Sequence, residues 1–149
     1  MIGIAPSTAP AMLVLDTDHL SIVQRGAAEG GVLQQRLERS GLDVATTVAT
    51  AEEQLRGWLA QINKQHDPLR QIEPYERLAK RLEDFANLTI LRFDEAAALQ
   101  FVALRAQAIR LGTMDLKIAS IVLVNNGLLL SRNLRDFKKV RSLKVEDWL

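Results

Sequence analysis

Met12-Leu13-Val14-Leu15-Asp16-Thr17-Asp18-His19-Leu20-Ser21 is a short apolar run that stops at a carboxylate and passes into helix-compatible sequence. The first strand of an α/β sheet delivers an acid to the carboxyl edge in this way, and open α/β sheets bind ligands at that edge. A plainer reading also fits, in which Asp16 or Thr17 caps the following helix. The two are separated by whether other acids arrive at the same edge.

Working outward, strands and helices alternate. Leu42 to Thr47 reads as a second strand, Leu88 to Leu91 as a third and Leu128 to Leu130 as a fourth. Leu143 to Val145 reads as a short edge strand. Between them lie helical patterns. One runs from Thr17 to about Arg25, and another from Val32 to Ser40, with Val32, Leu33 and Leu37 on one face. A third carries the stripe Leu55, Trp58, Leu59, Ile62, and a fourth the face Tyr75, Leu78, Leu82, Phe85. Asp94 suits the N-cap of a helix running to about Leu111, and Thr113 that of a helix from Met114 to Val124. That last segment is apolar nearly all round, as a buried helix is. No strand pair is joined by a hairpin turn. The pattern predicts an α/β fold: one doubly wound, mainly parallel sheet of four to five strands flanked by helices.

Composition narrows the chemistry. A chain of 149 residues, 48% apolar and 25% charged, suits one folded domain. We place it at residues 12–149, with residues 1–11 as a disordered extension. There is no cysteine, which excludes thiol nucleophiles, zinc ribbons and disulfide frameworks and fits a cytoplasmic location. With two histidines only, a metal would be held by oxygen, which favours Mg²⁺ or Mn²⁺. No run approaches the ~18 apolar residues that span a bilayer.

Four segments offer an acid after a strand or in a first helical turn: Asp16, Glu53, Asp115 and Asp136. In a parallel sheet all strand carboxyl ends lie on one side, so acids far apart in sequence can converge. Clustered carboxylates repel and call for a cation. A divalent ion held by a few of them polarises a phosphoryl group and activates water. Each acid has a structural alternative. Glu53 stands at capping-box spacing from Thr50. Asp115 would favour a helix dipole, and Asp136 could be a surface ion-pair partner. The run from Arg132 to Lys144 is basic; Arg132, Arg135, Lys138 and Lys139 there form either a solvated face or a track for an RNA backbone.

Five motifs in order resemble PIN-domain ribonucleases of the VapC toxin type. They are Leu15-Asp16-Thr17-Asp18, Glu53-Gln54-Leu55-Arg56-Gly57, Asp115-Leu116-Lys117-Ile118-Ala119, Ser131-Arg132-Asn133-Leu134-Arg135-Asp136-Phe137 and Ser142-Leu143-Lys144-Val145-Glu146-Asp147-Trp148. The chain departs from the family pattern at Asp18, for the usual Asn, at Gln54, for Leu, and at Ser142, for Gly. None of these removes an acid. The resemblance implies an endoribonuclease dependent on Mg²⁺ or Mn²⁺, the toxin half of a toxin–antitoxin pair. Asp16 and Asp115 would be the main metal ligands, Glu53 and Asp136 would complete the acid pocket, and Asn133 would orient an acid or a water. It also implies an RNA substrate, an antitoxin partner and a homodimer. Two rival readings remain. Leu15-Asp16-Thr17-Asp18 also fits the Asp-x-Asp signature of haloacid-dehalogenase-like phosphatases, with Asp16 as nucleophile, and the acids could be caps in a non-catalytic binding module.

Overall fold

The computed structural model describes residues 9–149. Five strands, β1 (Met12–Leu15), β2 (Asp43–Thr47), β3 (Thr89–Leu91), β4 (Gly127–Leu130) and β5 (Lys144–Glu146), form one sheet in the order β3-β2-β1-β4-β5. Every pairing is parallel. The predicted doubly wound sheet is the observed one, and the segment at 143–145 is a true edge strand shifted by one residue. Three of the expected strands also start one residue off, as strand ends read from apolar runs commonly do.

The helices are α1 (Thr17–Gln24), α2 (Ala27–Arg39), α3 (Val48–Asn63), α4 (Ile72–Ala86), α5 (Glu95–Ala106), α6 (Thr113–Val124) and α7 (Leu134–Phe137). A 3-10 turn at Pro68–Gln71 leads into α4. No helix among the described residues is long and apolar enough to cross a membrane.

Both faces of the sheet are covered. Leu13, Leu15, Leu128 and Leu130 pack with Leu20, Leu33, Leu37 and Phe85 on one side. Val14 and Leu129 pack with Phe101, Ile118, Ile121, Val122 and Phe137 on the other. The period of two along β1 and β4 thus feeds two cores, which is why both strands read as unbroken apolar runs. The chain lays β1, β2 and β3 outward in one direction, then returns to place β4 on the free side of β1. The β1/β4 junction is therefore the switch point of the sheet, where such folds open a crevice for ligands.

Several local expectations change. The helix expected from Val32 begins earlier and contains Gly30 and Gly31. Gly30 is needed because α1 passes so close that a Cβ there would lie 2.6 Å from the carbonyl oxygen of Ile22. Leu33 and Leu37 are buried as expected, but Val32 points to solvent. Of the two expected apolar stripes in α3 and α4 only Ile62 and Phe85 are buried, while Leu59, Tyr75 and Leu82 are exposed, and α3 buries Ala49, Thr50 and Ala51 at its start instead. Helix α5 ends at Ala106 rather than near Leu111, and Ala108 with φ 52° turns the chain out of it. Of the expected extension at 1–11, residues 9–11 are described. There Ala11 donates its N–H to the Asn126 carbonyl at 2.8 Å, and the Asn126 amide donates to the Ala9 carbonyl at 3.2 Å. Its first eight residues lie outside the described residues.

The C-terminus closes over α1. His19, fully buried, accepts the Trp148 backbone N–H through Nε2 at 3.0 Å, and Asp147 stands 3.5 Å from the same nitrogen. Accepting there places the imidazole proton on Nδ1, which has no hydrogen-bond partner among the described residues. The Arg36 guanidinium lies 4.0 Å from the Trp148 ring centroid, a cation–π contact that holds the indole down.

Candidate active site

Asp16 leaves β1 with its N–H bonded to the Leu130 carbonyl of β4 at 3.0 Å. It occupies the N-cap position of α1, yet its side chain makes no capping bond. Its Oδ2 instead accepts from the hydroxyl of Ser131, at 2.8 Å, and Ser131 follows β4. The buried Ser131 hydroxyl also accepts the Asn133 backbone N–H at 3.0 Å. The carboxylate is thus aimed along the strand ends rather than spent on the helix.

Glu53 reaches the same edge from α3. That helix is capped by Thr47, whose hydroxyl accepts the Thr50 N–H at 3.0 Å, so the capping box expected between Thr50 and Glu53 does not form. The helix starts three residues earlier than the box required, and this places Glu53 in the second turn. There it accepts from the Thr17 hydroxyl at 3.3 Å. Its neighbour Glu52 turns away and pairs with Arg56 one helical turn on. Burial, and then the charges of Asp16 and Asp115, push the Glu53 carboxyl above its ordinary value.

Asp115 is the third residue of α6. The expected Thr113 cap is not made: Gly112 is the N-cap residue and there is no side-chain capping bond. Asp115 is half-buried, and burial, followed by Asp16 and Asp136, raises its pKa. Asp136 sits in the short helix α7 after β4. Hydrogen bonding from Lys139, then from Asn133, holds its carboxyl below the usual range. The Asn133 amide donates to Asp136 Oδ2 at 3.2 Å, so Asn133 orients an acid.

The four acids therefore come from the end of one strand, β1, and from three helices, α3, α6 and α7. Asp115 feels Asp16 and Asp136, and Glu53 feels Asp16 and Asp115. No three carboxylate or imidazole groups among the described residues are gathered tightly enough to form a closed ligand cage. Mg²⁺ does not require one, since it binds through one or two carboxylates and keeps several waters. Two crowded acids with raised proton affinity and an all-oxygen donor set fit such an ion.

Ser131 and Thr17 were not among the residues picked out from sequence as candidate site residues. Both lie inside the motifs already noted, and a hydroxyl next to an acid motif was the available signal. Of the basic residues, Arg132 and Arg135 are exposed near this edge and form no ion pair among the described residues, whereas Lys139 is engaged with Asp136. Lys138 is exposed and lines a cleft with Pro10, Leu128 and Val145. Lys117 holds its ammonium 5.8 Å from the Phe93 ring centroid. Asp18, the second acid of the Asp-x-Asp signature, is exposed.

The sequence profile of the PIN domain matches residues 13–143. No curated protein sequence matches the chain. Among solved structures, the fold is similar to a DNA-bound VapBC complex from Salmonella typhimurium, with TM-score 0.70, 21% identity and coverage of 93% of this chain and 98% of that one. It is also similar to VapBC2 from Rickettsia felis bound to a promoter DNA fragment, with TM-score 0.67, 19% identity and coverage of 93% and 99%. A third relative in fold is FitAcB from Neisseria gonorrhoeae, with TM-score 0.66, 20% identity and coverage of 91% and 97%. With all four acids and both supporting hydroxyls inside the matched span, the chain belongs to the PIN-domain family.

Proposed function

We propose that the protein is an endoribonuclease dependent on Mg²⁺ or Mn²⁺ and that it is the toxin of a toxin–antitoxin pair. PIN domains are generally nucleases, and the fold relatives include toxin–antitoxin complexes. The observation that carries the reading is the arrival of Asp16, Glu53 and Asp115 at the switch point of the sheet, close enough that burial and then the charge of Asp16 raise the proton affinity of the other two.

Asp16 and Asp115 would hold the cation, with Glu53 and Asp136 reaching it directly or through water. The bound cation would polarise the phosphodiester and favour ionisation of the attacking water. The chain's own residues do the rest. Ser131 fixes one oxygen of Asp16, Thr17 fixes one of Glu53, and Asn133 fixes Asp136. Burial of Glu53 and Asp115 keeps their charges strong by excluding water. Glu53, with its raised proton affinity, is the group best suited to take a proton from an attacking water. Arg132, Arg135 and Lys138 would steer the RNA backbone towards the acids.

The test is cleavage of a single-stranded RNA by the purified chain, with Mg²⁺ titrated and then chelated, and Asp16→Asn as control. Metal-dependent cutting that the variant lacks supports the reading, and cutting unaffected by chelation overturns it. The antitoxin partner and the homodimer belong to the same proposal. Co-purification with a small protein encoded beside this one, and the mass of the free chain by light scattering, test them separately.

A further inference from the structure

Asp136 differs from the other three acids in its company. Its Oδ1 lies 3.1 Å from the ammonium of Lys139, and its Oδ2 accepts from the Asn133 amide. Asp16, Glu53 and Asp115 form no ion pair among the described residues. The Lys139 ammonium is also held from behind, donating to the Arg110 carbonyl at 2.9 Å. Arg110 belongs to the irregular segment between α5 and α6 that leads into Asp115. One lysine thus bridges the helix bearing the fourth acid and the approach to the third. A lysine anchored by a main-chain carbonyl has less freedom than one on an open surface, so its charge stays beside the carboxylate.

We propose that Lys139 is a positioning residue and resident counter-charge of the acid edge: it neutralises Asp136 and thereby limits how tightly the edge binds a divalent cation. This rests on the reading of that edge as a metal site. Reading the basic run as a track for RNA makes Lys139 one phosphate contact among four, whereas the geometry gives it a partner inside the protein. A fixed positive charge roughly 6–13 Å from a divalent ion weakens binding by about three- to tenfold at the dielectric constant of bulk water. The pair itself is exposed, and exposed pairs add little stability, so removing it should leave the fold intact.

The experiment is calorimetric titration of Mg²⁺, then of Mn²⁺, into the full RNA-free chain as wild type, Lys139→Met, Lys139→Arg, Asp136→Asn and the Asp136→Asn/Lys139→Met double variant, with thermal midpoints recorded for each. Lys139→Met should bind about three- to tenfold more tightly than wild type, and Lys139→Arg should restore the wild-type constant. In the Asp136→Asn background the Lys139→Met gain should be smaller, because the long-range repulsion is still removed but no carboxylate is released. An unchanged or weaker constant in Lys139→Met overturns the proposal, as does an equal gain without Asp136. Loss of RNA affinity with an unchanged cation constant would make Lys139 a phosphate contact and nothing more. A wild-type chain that binds neither ion overturns the metal reading itself, an outcome distinct from all of these.

Discussion

The Ser131 hydroxyl donates to the Asp16 carboxylate at 2.8 Å, joining the ends of β4 and β1 across 115 residues of sequence. This bond explains why Asp16, although placed as an N-cap, leaves the first turn of α1 uncapped. Asp16→Asn should therefore keep its thermal midpoint within about 1 kcal/mol of wild-type stability while RNA cleavage falls to background. Ser131→Ala leaves the acid charged but unaimed, and should lower cleavage by about 10- to 100-fold, the usual cost of losing such a support. Wild-type cleavage in either variant, measured at saturating Mg²⁺, would remove that residue from the site.

Glu53→Gln and Glu52→Gln form a matched pair. The first keeps an acceptor for Thr17 and removes a charge crowded by Asp16 and Asp115, so its thermal midpoint should hold or rise. Its cleavage should fall by about 10-fold or more, with more Mg²⁺ needed for half-maximal rate. Glu52→Gln loses only an exposed pair with Arg56, and both measures should stay near wild type. The reverse result would mean that the wrong carboxylate of the two faces the edge.

Cation binding and protonation should compete. Burial and then repulsion from Asp16 raise the proton affinity of Glu53 and Asp115 in the folded chain, so their charged forms cost stability above their folded pKa values and the cost is relieved as the pH falls through them. Mg²⁺ relieves the same repulsion by binding the folded state alone. The rise in thermal midpoint caused by Mg²⁺ should be largest near about pH 7.5 and shrink towards about pH 5 as protons take the carboxylates. A rise independent of pH would point to cation binding elsewhere.

His19 gives the opposite trend. Burial lowers its pKa from 6.5, against the pull of Asp147, Asp16 and Asp18. The unfolded chain therefore takes up this proton at a higher pH than the folded one. The stability due to neutral His19 is complete above pH 6.5 and declines as the pH falls towards the folded pKa. His19→Gln, which can still accept the Trp148 N–H, should flatten that part of the midpoint–pH curve. Without Mg²⁺, an unchanged curve in His19→Gln would show that the imidazole does not titrate there.

The RNA track is testable by salt. Arg132→Gln, Arg135→Gln and Lys138→Gln together should weaken binding to single-stranded RNA. The slope of log affinity against log salt should become shallower by roughly 0.7 for each phosphate that the protein no longer neutralises. An unchanged slope would make the three a solvated face.

Much of this architecture was legible because β1 and β4 are buried on both faces and so carry unbroken apolar runs. The apolar surface of α6 marked it as interior, and Ile118, Ile121 and Val122 are fully buried. The acids were legible as residues but not in their local chemistry. The second strand read correctly to its end at Thr47, but Thr47 and Thr50 can both cap the helix that follows, and only the bond from the Thr50 N–H to the Thr47 hydroxyl decides between them. That shift of three residues converts Glu53 from a cap into a member of the edge. Val32 misled because the buried stripe of α2 runs through Gly30, Leu33 and Leu37, and Val32 lies about 100° around the helix from Leu33. Lys139 read as one charge in a basic run, since nothing local says that the Arg110 carbonyl waits for it.

The return of β4 to the side of β1 also bears on the making of the protein. The middle strand of the sheet is synthesised first and receives its second neighbour from residues 127–130, near the end of the chain. Asp16 and Glu53 leave the ribosome long before Asp115 and Asp136, and Ser131, which aims Asp16, emerges later than three of the four acids. A nascent or truncated chain has half a sheet, a carboxylate without its donor and no closed edge. The architecture thus ties the site to the order of synthesis: the acid edge comes into being only once the segment from β4 to Asp136 has joined the strands made before it.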